Sequence, residues 1–321
     1  MIELITGPDD NGRRLDRILR KALPDHSLSL IHRLLRQGKV LVNGKPASQS
    51  ERVEPGQTIQ LVSQLTTNSV NVNKKTLYPP PPLPEILWQG SGIIVFNKPA
   101  GLATHGSNSL ETLVNEHLTA TLPPSLSFKP GPLHRLDKPT SGVIAFSQSI
   151  EGARFFSRLL QERKIEKTYL AIIEGTFSGE QTWEDELVRD TTAKKTYVNP
   201  HGAQNVSGKQ HMPELQNALA SVKALASNGR YSLIEVKLVT GRTHQIRAQA
   251  AAHGHPLAGD TKYGGGRWPA GTGNEGRFFL HAWTLSLAEN HDCGFDFPQC
   301  ITAPLPQLFR TKIRGLFHEN F

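Results

Sequence analysis

The segment His134 to Val143, HRLDKPTSGV, sets one carboxylate, Asp137, between a basic arm and a turn of small residues. Arg135 lies two positions before the acid, and Pro139, Thr140, Ser141 and Gly142 punctuate the chain as a turn. An apolar run, Gly142 to Phe146, follows at once and reads as a buried strand, so the carboxylate is expected at a strand end or loop. A second dense polar segment, GRTHQIRAQ from Gly241 to Gln249, groups Arg242, His244, Gln245, Arg247 and Gln249 directly after the apolar run Tyr231 to Val239. Both polar segments therefore lean on hydrophobic strands.

The chain has 321 residues, enough for a large domain plus a small one with a proper core. Its formal charge of +8 favours a polyanionic partner, nucleic acid ahead of a membrane surface. The start MIELITGPDD lacks the basic and apolar regions of a signal peptide, and no apolar run approaches membrane-spanning length. With only Cys293 and Cys300, read as structural thiols, the expectation is a reduced, cytoplasmic protein without membrane attachment.

Residues 1–62 are expected to form their own unit. In RRLDRILRKALP the positions Leu15, Ile18, Leu19 and Ala22 follow helical spacing, leaving Arg13, Arg17, Arg20 and Lys21 mostly outside. A second helix follows in SLSLIHRLLRQG, with Ser27 or Ser29 as cap, Leu30, Ile31, Leu34 and Leu35 as stripe, Gly38 at its end, and Arg33 and Arg36 exposed. KVLVNGKPA, starting at Lys39, carries Asn43-Gly44, the preferred pair for a two-residue hairpin, and VEPGQTIQL reads as a turn then a strand, giving two helices and a small hairpin sheet. Residues 63–84 read as a Pro-rich linker whose extended composition lets the two parts reorient. From residue 85 to 321 short strands, turns and a few helices alternate: Ser91 to Lys98 as a strand, Ala153 to Arg163 as a helix, then KTYLAIIEG and later strands through Leu287. The expected class is α+β, a mixed, mainly antiparallel sheet flanked by helices around a long basic cleft.

An isolated Asp is more often a helix cap than a catalyst, but the neighbours of Asp137 raise its standing. Arg135 and Arg247 can hold a carboxylate ionised and oriented, and Tyr169 in KTYLAII offers an aromatic face with a polar tip. Gly271 to Gly276 matches the spacing of a dinucleotide fingerprint but follows no strand of a βαβ unit, so no cofactor is expected there. His244, His253, His255, His281 and His291 come with neither HExxH nor paired CxxC, and no metal is expected.

HRLDKPTSGV, with NKPAGLATH before it and KTYLAIIEG, GRTHQIRAQ, GHPLAGDTKYG and FFLHAWTLSL after it, resembles the RluA-type pseudouridine synthases over about residues 85 to 310. Residues 13 to 62 resemble the RNA-binding domain first known from the small-subunit ribosomal protein S-four. The pairing is similar to the subgroup that modifies large-subunit (23S) ribosomal RNA. The resemblance implies a cofactor-free isomerase converting uridine to pseudouridine, with Asp137 as catalytic carboxylate, Arg135 displacing the base, Tyr169 as active-site tyrosine and Arg247 pairing with the acid. It further implies RNA contacts from His134, Leu136, Arg242, His244 and Gln245 in the catalytic part, and from Arg17, Arg33, Arg36 and Lys39 in the N-terminal part. Pro139 and Ala248-Gln249 depart from the family's usual residues beside essential positions and bear on substrate fit. A monomer is expected. A second reading moves the chemistry to transfer RNA, and a third keeps the scaffold as a non-catalytic RNA-binding or assembly factor.

Overall fold

The computed structural model describes residues 2–62, 81–118, 121–199, 215–268, 276–288 and 296–319. Most of the Pro-rich linker, the loop from Gly271 to Glu275, His291 and Cys293 lie outside the described residues.

The N-terminal unit is built from β1 (Ile2–Ile5), α1 (Leu15–Ala22), α2 (Leu28–Arg36), β2 (Val40–Val42), β3 (Lys45–Pro46) and β4 (Thr58–Leu61). The helical spacing read from sequence is the buried face: Leu15, Ile18 and Leu19 of α1 meet Ile31, Leu34 and Leu35 of α2 over Val40, Val42, Ile59 and Leu61. Ser27 caps α2 by accepting from the Leu30 amide, and Asn43 and Gly44 both take positive φ, as a two-residue hairpin requires. The sheet is larger than the expected hairpin. β1 pairs antiparallel with β4, giving the order β1-β4-β2-β3.

The remaining chain runs β5 (Ile86–Gly90), β6 (Ile93–Lys98), α3 (Leu110–Leu118), β7 (Gly131–Pro132), β8 (Ser141–Ser147), α4 (Ile150–Gln161), β9 (Ile165–Glu174), β10 (Glu180–Asp190), β11 (Lys195–Val198), β12 (Gln216–Ser227), β13 (Tyr231–Leu238), α5 (Gln245–Ala252), β14 (Leu280–Leu287), β15 (Cys300–Thr302) and α6 (Gln307–Phe317). Eleven strands form one sheet in the order β11-β10-β12-β13-β9-β14-β8-β6-β5, with β15 on β14 and β7 on β8. The sheet is mixed and mainly antiparallel as expected; β8 and β14 form its parallel pair. Gly142 makes that pair possible. Its φ is +112°, and a Cβ there would stand 2.1 Å from the Ala282 carbonyl oxygen.

Near-continuous burial of β8 and β9 places them at the centre, where Ile94, Phe96, Ile144, Phe146, Tyr169, Ala171, Ile234 and Val236 share one core. The opposite face packs α4 through Phe155, Phe156 and Leu159.

The two units are pinned together, whereas the linker composition suggests free reorientation. Asp10, fully buried, accepts from the Gly7 and Leu126 amides at 2.9 Å and from the hydroxyls of Ser125 and Ser127. Asp9 accepts from the Ile150 amide at 2.8 Å, so an acid of the N-terminal unit caps α4 of the other. Backbones approach closely at this seam: a Cβ on Gly7 would stand 1.6 Å from the Pro124 carbonyl oxygen.

Candidate active site

Asp137 lies in the loop between β7 and β8, and the Thr140 amide donating to the Asp137 carbonyl closes the turn that the small residues announce. Leu136 anchors the loop on its other side. Its amide donates to Thr104 Oγ1 and its carbonyl accepts from the same hydroxyl, while its side chain is buried in the core. From beneath, the buried Lys98 ammonium donates to the carbonyls of Pro99, Leu102 and Lys138. Burial brings that lysine down to about 8, opposed by the charge of Asp137. The carboxylate is thereby presented, 14% exposed, into a pocket lined by Arg135, Thr140, Tyr169, Arg242, His244 and Arg247 among others.

Arg247 comes from α5 and reaches Asp137 Oδ2 with Nη1 at 3.5 Å. Its fork is committed elsewhere: Nε and Nη2 donate to the two oxygens of Asp260 at 2.6 and 2.8 Å. Burial opposes the guanidinium charge, yet the Asp260 hydrogen bonds and charge outweigh it and raise the pKa. The guanidinium also lies 4.7 Å from the ring centre of Tyr263 and 4.6 Å from that of Phe278. Asp260 thus fixes Arg247, and Arg247 faces Asp137.

A second line leads to the same carboxylate. Tyr263 accepts from the Thr196 amide at 2.9 Å and meets His244 Nδ1 at 2.8 Å. The other ring nitrogen of His244, Nε2, faces Asp137 Oδ2 at 3.7 Å. Burial pulls the His244 pKa down, with Asp137 opposing. His244 takes left-handed backbone, φ 56°, at the start of α5, and this turn aims the ring into the pocket.

Tyr169 sits on β9, paired with Val236 on β13 and Ala282 on β14, and its buried side chain borders the pocket beside Asp137. Burial, and then the Asp137 charge, raise its pKa above the ordinary phenol value, so the ring stays a neutral phenol.

Other expected site residues divide by exposure. Arg135 is exposed at the rim and forms no hydrogen bond or ion pair among the described residues; Arg242 is exposed and braced by Nε on the Asn217 carbonyl. Arg17, Arg33, Arg36 and Lys39 are exposed on the N-terminal unit. Three residues expected to meet RNA also hold the scaffold, while each lines the pocket or the depression beside it. Gln245 is buried and its amide is consumed by Thr240, the Arg242 amide, the Leu219 carbonyl and Gln249. Leu136 belongs to the core. His134 accepts from the Ala145 amide through Nε2 and stacks on Phe156; burial and nearby Lys167 lower its pKa to about 3, which keeps it neutral.

Asp260, Tyr263, Thr104 and Lys98 have no role assigned from sequence; their signal was present only as membership of the GHPLAGDTKYG and NKPAGLATH segments. Of the other histidines weighed as metal ligands, His281 is hydrogen-bonded to Ser141 and the Ala303 carbonyl, His253 to Asp185 and His255 to the Glu174 carbonyl. Cys300 is exposed on β15 and is not a packing thiol. Among the described residues no group of three His, Cys, Asp or Glu is placed to hold a metal, and no helix is long and apolar enough to cross a membrane.

Residues 92–252 match the model of the family described as RNA pseudouridylate synthase, and residues 13–59 match the S4 domain. The ribosomal large subunit pseudouridine synthase D of Neisseria meningitidis serogroup A is 34% identical over 288 residues, 86% of this chain and 72% of the relative. The ribosomal large subunit pseudouridine synthase C of Vibrio parahaemolyticus is 28% identical over 97% of this chain and 95% of its own. Human RNA pseudouridylate synthase domain containing 4 shares the fold, with a TM-score of 0.56 at 22% identity over 71% of this chain and 91% of that one. The chain belongs to the RNA pseudouridylate synthases, isomerases that convert uridine to pseudouridine in RNA, and carries an S4 domain at its N-terminus.

Proposed function

We propose that the chain isomerises specific uridines of large-subunit (23S) ribosomal RNA, with Asp137 as the carboxylate that starts the reaction. The observation that carries this reading is the Asp260–Arg247–Asp137 arrangement: a buried carboxylate spends both oxygens on orienting an arginine whose free edge faces a second carboxylate in an open pocket. The substrate class is supported by the relatives, which are named as synthases of the ribosomal large subunit, and by the S4 domain.

Isomerisation breaks the bond from sugar to ring nitrogen, turns the detached base, and joins sugar to ring carbon; the proton on that carbon leaves and the ring nitrogen regains one. Asp137 acts on sugar or base at the bond exchange, held by Arg247. Tyr169 gives the base a flat neighbour while it turns. Tyr169 also assists, directly or through water, removal of the proton from the ring carbon. A stacked uridine is out of reach, so it must leave the helix, and Arg135, exposed at the rim, is positioned to occupy the space left behind. His244 faces Asp137 through Nε2. We assign residues 1–62 to RNA binding through Arg17, Arg33, Arg36 and Lys39, 63–84 to the connection, and 85–321 to catalysis, in a monomer acting in the cytoplasm.

The test is to incubate the purified protein, without added nucleotide or metal, with unmodified large-subunit rRNA and with tRNA, and to map pseudouridine by site. Product at discrete rRNA positions is expected, and Asp137→Asn should abolish it while RNA binding persists. Product in tRNA alone would overturn the substrate assignment, and activity in Asp137→Asn would remove Asp137 from its role.

A further inference from the structure

The N-terminal arginines and the active site lie on different units, and α4 joins them. It begins at the seam, where Asp9 caps its first amide, and ends beside a depression lined by Leu160, Arg163 and Lys167 that adjoins the catalytic pocket and shares Arg135, Asp137 and Tyr169 with it. Its buried side is Phe155, Phe156 and Leu159. Its exposed side is Arg154, Ser157, Arg158 and Gln161, a stripe at helical spacing of three and four that extends about 10 Å at 1.5 Å per residue.

That stripe is one wall of a trough whose other walls come from both units: Arg13 and Lys21 from the N-terminal unit, Lys129 and Ser127 from the loop that holds Asp10. A second depression, sharing Arg13 and Arg154 with the first, adds Arg14, Arg17 and Arg52. Among the described residues no carboxylate lines either one. Arg14 is paired with Asp16 at 2.8 Å, but the remaining cations repel one another unless an anion lies among them. Arg154 and Arg158, one helical turn apart and about 6 Å along the axis, match the spacing of successive phosphates on one strand.

We propose that the exposed edge of α4 is a phosphate track, carrying one strand of the substrate RNA from the seam of the two units to the catalytic pocket by way of Arg154, Arg158 and Arg163. The docked seam is what makes the track continuous, because Asp9 and Asp10 fix Arg13 and Arg17 relative to α4. The polymer is a nucleic acid strand and not scattered anions, since the cations follow one line that ends at the base-accepting site. This rests on the RNA reading above and adds where the backbone runs.

The experiment compares wild type with Arg154→Gln/Arg158→Gln and with Arg154→Glu/Arg158→Glu, using transcribed, unmodified large-subunit rRNA. Each phosphate contact contributes about 0.7 to 0.9 to the slope of log affinity against log salt, so losing two should reduce its magnitude by about 1.4 to 1.8. In turnover the loss should fall on KM and not on kcat, with melting temperature kept. An unchanged slope in variants that melt as wild type overturns the track. If the Glu pair alone melts lower, the Gln pair decides by the same slope. Wild type that binds the transcript but forms no pseudouridine defeats the functional reading while the slopes still decide the track; wild type that does not bind defeats both.

Discussion

Replacing Asp260 by Asn tests whether the active-site arginine is positioned by a buried ion pair. The carboxylate is 2% exposed and takes both arms of the Arg247 fork at 2.6 and 2.8 Å, so the substitution keeps the shape and removes the charge. Removing one partner of a buried pair costs about 3–5 kcal/mol, because the other is left charged and uncompensated. The lower end applies here, about 3 kcal/mol, since Asn retains one acceptor and Asp137 already stands 3.5 Å from Nη1. For a unit of this size that corresponds to a melting temperature lower by about 6–12 °C. Arg247 should then turn toward Asp137, and a displacement of about 1 Å at a reacting group costs on the order of 10²-fold in kcat. Arg247→Met alone strands Asp260 and should be comparably unstable, whereas the double variant Asp260→Asn/Arg247→Met buries no charge at this point and should recover most of the stability without recovering turnover. Thermal melting followed by calorimetry, with single-turnover rates, measures both effects. Asp260→Asn melting within about 2 °C of wild type, or a double variant no better than the worse single, would refute the reasoning.

Thr140 is buried at the pocket wall, and its hydroxyl has no partner among the described residues, so Thr140→Val should leave melting unchanged or raise it and lower kcat/KM by about 5–30-fold if the hydroxyl is reserved for substrate; an unaltered kcat/KM rejects that use. His281 is fully buried and burial lowers its pKa to about 4. Unfolded chains take up a proton near pH 6.5 that the fold refuses until about pH 4, so stability should fall as pH drops through this window, by about 2 kcal/mol at pH 5 from this residue, and melting curves of His281→Gln should show a flatter acid limb. Gly142→Ala would drive a Cβ against the Ala282 carbonyl at positive φ, and we expect loss of several kcal/mol or no soluble protein; a variant as stable as wild type contradicts the close approach of β8 and β14.

The N-terminal helices and the Asn43-Gly44 hairpin were legible because each is specified by residues a few positions apart: an apolar stripe, a serine cap, two positions tolerating positive φ. β1 was not, since IELI becomes a strand only by pairing with β4 at the far end of the unit. The docking role of Gly7-Pro-Asp-Asp was equally hidden, because nothing local announces that Asp10, besides the Gly7 amide, binds three donors from Ser125, Leu126 and Ser127. α5 hid for another reason. Residues Gln245 to Ala250 are all buried, so the helix lacks the one-sided pattern that marks a surface helix, and it starts from a left-handed residue without a capping side chain.

The site shows the same division between local and distant information. Asp137 and Arg247 are 110 residues apart, and no periodicity in either segment brings them together; their pairing was expected only because the ordered motifs resemble a family. Polar density then misled in one respect. Within HRLDKPTSGV and GRTHQIRAQ, His134 and Gln245 look as available for RNA as Arg135 and Arg242, yet His134 Nε2 and the Gln245 amide are engaged with the scaffold while the two arginines stand at the rim. The reason is physical: a carboxylate and an arginine can be kept in register beside an open pocket only if the turns carrying them are themselves hydrogen-bonded from within. A motif of this kind must hold two populations of polar residues, one that meets the substrate and one that holds the first in place. Neither charge nor polarity alone separates them: Arg135 and Arg242 reach solvent, whereas Arg247, equally long and charged, is buried on Asp260, so what decides is whether the fold supplies each group a partner.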